Sequence, residues 1–194
     1  MTVLAVDLAA RYSAACLMDD DYHVIAQFDS WQTPESRFID AVAEYFAALT
    51  TPEVLVVEDL PHGLSYTTLV KTVCRLQGRL FDRVDSHMEG EKVLFLAPIQ
   101  WRNHYGLKRG TGPTIVVPTA ATFGYQPPDL LARAKGNGGP SRAAKIATDY
   151  CSAYLIARWA VDTKKKYGSY DVTGTSRYDT NAIKKKDFDA QQNG

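Results

Sequence analysis

The sequence predicts an α/β chain: a sheet of five strands flanked by helices, opening with a three-stranded antiparallel meander. Three observations carry that prediction. Residues 2–28 hold three apolar stretches joined by short polar links. Residues 33–97 then alternate helical and strand periodicity. A long helical segment closes the ordered pattern near residue 160.

The first stretch, Val3-Leu4-Ala5-Val6-Asp7, is a short apolar run of the kind found in central, fully buried strands, and it ends in one carboxylate. An acid there either caps a turn or sits where the sheet opens to solvent and can hold a cation or a phosphate. Residues 12–18 and 22–28 supply the other two strands of the meander, and Asp19-Asp20-Asp21 reads as a solvated turn between them. Thr33-Pro34-Glu35 is a helix start, with an N-cap oxygen, proline at the first helical position and an acid in the first turn. Phe38, Val42, Tyr45, Phe46 and Leu49 form its apolar face.

Val54-Leu55-Val56-Val57 is a second buried strand, and it ends in Glu58-Asp59, repeating the opening pattern. In the next helix Leu69, Val73, Leu76 and Leu80 define the buried face, while Lys71, Arg75, Arg79 and Arg83 follow one another at four-residue steps. Such a stripe is either a solvated face or a surface for backbone phosphates. Residues 93–97 form a third apolar strand, expected to be buried like the first two, and Pro98 opens a short helix holding Trp101 and Tyr105.

Residues 108–140 are rich in Gly and Pro and read as a long connection, with 114–117 an added strand. The final helix is expected over 141–162, and the lysine-rich residues 163–194 as a flexible tail beyond a single domain spanning 1–162.

Lysines and arginines number 22 and so do the acids, yet the zero net charge conceals an asymmetry. Acids dominate up to Asp59, whereas Arg102, Lys108, Arg109, Arg133, Lys135, Arg142 and Lys145 face only Asp129. An acidic centre with basic surroundings suits an enzyme acting on a polyanion; solvated faces and a tail give the same pattern. Cys16, Cys74 and Cys151 form no CxxC pair, which favours a reducing cytoplasm and argues against zinc. The opening residues carry no basic n-region and no apolar run approaches the ~20 residues of a spanning helix, so neither signal peptide nor membrane contact is expected. There is no GxxxxGK[ST] loop, and Gly136-Asn137-Gly138-Gly139 follows no clear strand.

Three acids stand out by context: Asp7 and Glu58, each closing a buried strand, and Asp149, alone among small and apolar residues inside the last helix. Either each caps its own turn, or the strands are neighbours and the helix crosses their ends so that the carboxylates meet. Two unit charges ~4 Å apart at an effective dielectric of ~20 repel by ~4 kcal/mol, so a meeting demands protons or a divalent cation. Oxygen-only ligands suit Mg²⁺ or Mn²⁺.

The order of these elements resembles the ribonuclease H-like fold, which implies a mixed five-stranded sheet of three antiparallel strands followed by parallel ones. Within it the chain resembles the RuvC family of Holliday-junction resolvases, most closely the phage-encoded branch. The matching pieces are Val6-Asp7 with Arg11 and Ser13, Val56-Val57-Glu58, Pro98 with Trp101, and the run from Asp149 to Ala157. The resemblance spans roughly residues 1–160. It implies a homodimeric endonuclease that uses two Mg²⁺ or Mn²⁺ ions to cut four-way DNA junctions symmetrically, with Asp7, Glu58 and Asp149 as metal ligands. Where the family has a second acid one turn later in the last helix, this chain has Ser152, which could hold a metal-bound water. Lys145 could contact the scissile phosphate. Arg11, Lys71, Arg75, Arg79, Arg102, Lys108, Arg109 and Arg142 would bind the DNA.

Two further departures are Ala9 in place of a glycine and Pro61 in place of an aromatic, for which His62 or Tyr66 could substitute. Rival readings are a ribonuclease H-like nuclease acting on flaps or RNA–DNA hybrids, and a non-catalytic junction-binding protein. Actin-like ATPases also open on a strand ending in Asp, but their phosphate loops and second repeat are missing.

Overall fold

Strand β1 (Thr2–Asp7) lies in the middle of a five-stranded sheet ordered β3-β2-β1-β4-β5, where its unbroken apolar run is covered on both faces. The structure, a computed structural model, describes residues 2–9, 12–30, 35–48, 52–60, 68–85, 93–107, 113–129 and 139–170. β1 pairs antiparallel with β2 (Ala14–Asp19), and β2 with β3 (Val24–Asp29). On its other side β1 runs parallel to β4 (Val54–Glu58), which runs parallel to β5 (Val93–Leu96). This is the expected mixed sheet. Helices α1 (Glu35–Ala48) and α2 (Thr68–Asp85) join strands that point the same way, and α2 is the crossover that the parallel neighbours β4 and β5 need.

Side-chain alternation splits the core into two layers. Leu4, Val6, Leu55 and Val57 point to one face, where Phe38, Ile39 and Val42 of α1 and Val73, Leu76, Leu80 and Val84 of α2 cover them. Val3, Ala5, Val54 and Val56 point to the other, beneath the last helix, α5 (Gly139–Tyr167). From Tyr150 to Ala157 every residue of α5 is buried, because the sheet lies on one side of it and other helices on the rest. Each fully buried aliphatic side chain contributes about 1.5–3 kcal/mol, so these two layers hold the strand ends in fixed positions.

Three expectations are corrected. Residues 114–117 do not add a strand: they lie in α4 (Pro113–Thr122), which packs on α5. Their β-branched side chains suggest a strand, but Val116 and Ala120, one helical turn apart, are the buried pair, and Ile115 is exposed. The last helix does not stop at Asp162 but continues to Tyr167. Thr163 is buried, and Gly168 ends the helix with φ of 74° and an N–H donated to the Lys164 carbonyl. The third apolar strand is not fully buried: β5 is a sheet edge, and its Phe95 is 46% exposed against Phe81.

The Asp triplet is a turn as expected, with Asp19 Oδ1 accepting the backbone N–H groups of Asp21 and His23. All three cysteines are free. Among the described residues no helix is long and apolar enough to cross a membrane. The expected helix start at Thr33-Pro34, the candidate loop residues His62 and Tyr66, and residues 171–194 of the expected tail lie outside the described residues.

Candidate metal centre

The parallel register of β1 and β4 decides where the first two acids go. Val3 stands opposite Val54 and Val6 opposite Val57, so Asp7 continues the ladder beside Glu58. Asp7 shares the parity of Val3 and Ala5, and Glu58 that of Val54 and Val56. Both therefore project onto the face covered by α5, at the carboxyl ends of adjacent strands. Their carboxyl groups lie within hydrogen-bonding reach of each other.

Burial, then the charges of Glu58 and Asp149, push the Asp7 carboxyl well above its ordinary range. Burial also raises Glu58, against the opposing pull of Trp101 and Arg102. Both carboxyls are raised and they share a hydrogen bond, so in the absence of a cation the pair favours holding a proton between them.

Asp149 comes from the middle of α5. Burial pushes it up to about 7, the Lys145 ammonium one turn earlier opposes that, and the Glu58 charge adds to it. Its Oδ2 is buried without a hydrogen-bond partner. The three acids thus sense one another electrostatically, but only Asp7 and Glu58 bond. Among the described residues no three His, Cys, Asp or Glu side chains are gathered tightly enough to hold one ion as they stand. An orphaned buried carboxylate oxygen beside two raised carboxyls is nonetheless an all-oxygen donor set of excess negative charge. In its donor chemistry it fits a hard divalent cation.

Neighbouring groups are fixed by local bonds. Asp59, next to Glu58, accepts the Leu60 N–H at 2.8 Å through its own Oδ1 and so caps the strand end. Ser13, 2% exposed, closes the loop after β1: its Oγ accepts from the Ala9 N–H at 3.2 Å, and its own N–H donates to Ser30 Oγ at 2.7 Å. Ser152 is buried one turn beyond Asp149, and Lys145 is exposed.

The basic residues separate into three groups. Lys71, Arg75, Arg79 and Arg83 do form an exposed row along α2, although Arg83 pairs with Asp40 of α1 at 3.3 Å. Arg142 is half-buried, its guanidinium 5.2 Å over the Tyr12 ring. Arg102 belongs to the acidic centre: its Nη2 stands 3.8 Å from Glu58 Oε1. Arg11, Lys108 and Arg109 lie outside the described residues.

Sequence reasoning missed the contact made by Trp101, whose indole N–H donates to Glu58 Oε1 at 2.8 Å. The pairing of Leu96 with Glu58 puts the segment just after β5 beside the acid, and the short helix α3 (Pro98–His104) then turns Trp101 inward. A start with Pro98 at its first turn and an end at Gly106 set that helix. Gly106 takes φ of 69° and donates to the Asn103 carbonyl, and Leu107 N–H returns to the Arg102 carbonyl. A tryptophan three residues after a proline that ends a strand was the available signal.

No protein-family model and no curated protein matches the sequence. Among solved structures, the chain is similar to RuvC of Thermus thermophilus with a TM-score of 0.50 at 14% identity, over 83% of this chain and 98% of that one. The same values hold for T. thermophilus RuvC in complex with Holliday junction substrate. Likeness at that identity speaks for architecture, and the mixed sheet with its flanking helices is the RuvC-like, ribonuclease H-like fold.

Proposed function

We propose that this protein is a divalent-metal-dependent endonuclease that resolves four-way DNA junctions by symmetric phosphodiester hydrolysis. It acts as a homodimer in the bacterial cytoplasm, as a member of the phage-encoded branch of such enzymes. The observation that carries the reading is the pairing of Asp7 with Glu58 on the sheet face beneath Asp149. Three elements distant in sequence spend their stabilisation on bringing like charges together, which is costly unless a cation is the intended occupant.

Asp7, Glu58 and Asp149 would hold Mg²⁺ or Mn²⁺, two ions to the site. Such ions supply an activated water and charge stabilisation for the leaving oxygen. The remaining residues orient and bind. Trp101 holds one oxygen of Glu58, and Lys145, exposed beside Asp149, is suited to a phosphate oxygen. Buried Ser152 could position a water. The row Lys71, Arg75 and Arg79, together with Arg11, Arg102, Lys108, Arg109 and Arg142, would neutralise the arms of the junction, with binding that weakens steeply as salt rises.

The deciding experiment is nicking of a synthetic four-way junction in Mg²⁺, in competition with a flap and an RNA–DNA hybrid. The wild type is expected to cut the junction preferentially, and Asp7→Asn to lose about a hundredfold or more, since losing even an outer-shell partner costs about 10–100-fold. Equal activity of the two proteins would sink the site. Preference for the flap or hybrid would reassign the substrate. A second reading, a junction-binding protein without catalysis, is favoured by one observation: a buried serine, Ser152, stands where a fourth acid would be. It requires tight junction binding with no cutting in either Mg²⁺ or Mn²⁺.

A further inference from the structure

Glu58 differs from Asp7 and Asp149 in having two donors directed at one oxygen. Trp101 Nε1 lies 2.8 Å from Oε1, and Arg102 Nη2 lies 3.8 Å from the same atom. The two donors are not alike. Trp101 is 0% exposed and packed in the core beneath α5, so its indole N–H is committed to Glu58. Arg102 keeps 28% of its side chain exposed, rests its guanidinium 5.2 Å from the Trp101 ring and stands beyond good hydrogen-bond length. Its charge is felt by Asp7 as well as Glu58. A long, partly solvated ion pair can be broken without disturbing the core. A buried indole bond cannot.

We propose that Arg102 is the resident counter-charge of the acidic centre, displaced by an entering divalent cation, while Trp101 is a positioning residue that holds Glu58 Oε1 throughout and leaves the second oxygen for the ion. This inference rests on reading Asp7, Glu58 and Asp149 as a cation site. Its consequence is an order of events: the guanidinium becomes available to a phosphodiester after the ion enters, not before. Arg102 is then both a barrier to cation binding and, once released, a contact for the substrate.

The test is calorimetric titration of Mn²⁺ into the protein without DNA, with folding of each variant checked by its melting curve. Arg102→Gln removes the competing charge and should bind Mn²⁺ about three- to tenfold more tightly than wild type. Arg102→Lys keeps the charge and should stay near the wild-type affinity. Trp101→Phe keeps the ring but loses the donor and should bind about tenfold more weakly. A purely structural role for Arg102, or a role confined to DNA, predicts unchanged or weaker Mn²⁺ binding in Arg102→Gln, and that result overturns the proposal. Unchanged affinity in Trp101→Phe overturns the positioning role. Asp7→Asn separates the two layers of inference. If it binds Mn²⁺ as wild type does, the cation site itself is wrong; if it loses Mn²⁺ while Arg102→Gln is unchanged, only the displacement by the ion is.

Discussion

Helix α5 carries two aspartates in its packed part, and their surroundings are opposite. Asp162 is saturated: Oδ1 accepts from Tyr22 at 2.8 Å, while Oδ2 meets Tyr105 at 3.3 Å and His104 Nε2 at 3.2 Å. Around it Arg158 lies between the Tyr22 and Phe123 rings at 4.1 and 4.2 Å. Asp149, about 20 Å along the same helix by its rise per residue, has a buried oxygen with no partner and two carboxylates as neighbours. The chain therefore satisfies a helical carboxylate when the carboxylate is structural. It ties the β2–β3 turn and α3 to α5 through Asp162. Leaving Asp149 short of donors is costly in the isolated protein, a cost that the proposed cation would offset.

That contrast can be broken from either end. The largest effect is expected for Asp162→Ala, which strands two tyrosine hydroxyls and a histidine. About 3–4 kcal/mol should be lost in denaturant unfolding, with Mn²⁺ affinity unchanged. A comparable loss of Mn²⁺ binding would erase the distinction between the two ends.

Asp149→Asn should act in the other direction. A carboxyl raised in the folded state from 3.8 to about 7 contributes stability that is fully present below 3.8 and lost as pH climbs through about 7. Without divalent cations, then, the neutral variant should be more stable than wild type at pH 8 by a few kcal/mol, and the gap should close toward pH 4. Melting curves of both proteins across that range would show it. A variant less stable than wild type at pH 8 would mean that Asp149 is partnered after all. The smallest change is Tyr22→Phe, which removes one of three donors from Asp162 and should cost about 1 kcal/mol in the same unfolding measurement, with nicking intact.

How far each residue could be read from the sequence follows from the range of its contacts. Asp7 and Glu58 were legible because a strand end announces itself locally, in four apolar residues followed by an acid. Asp149 was legible as an anomaly, a charge among apolar neighbours with nothing nearby to justify it. The row from Lys71 to Arg83 follows from the four-residue step alone. By contrast, α4 was misread because Thr114, Ile115, Val116 and Val117 favour strands on their own, and only the packing of Val116 and Ala120 against α5 makes them helical. Arg102 was grouped with the DNA-binding cations, since nothing in its neighbourhood hints that it stands beside Glu58, 44 positions earlier in the sequence.

By itself the sequence marked the five strands of the sheet and most of the helices in their order, and singled out the three acids by their context, because each of these depends on patterns within a dozen residues. Tertiary structure alone decided the rest. The β1–β4 register set Asp7 beside Glu58, the crossing of α5 brought Asp149 within reach of their charge, and the turn into α3 delivered Trp101 and Arg102 to a single oxygen. The physical reason is that these are meetings of side chains 40 to 140 residues apart. Their geometry follows from how strands and helices pack, and no local pattern encodes it.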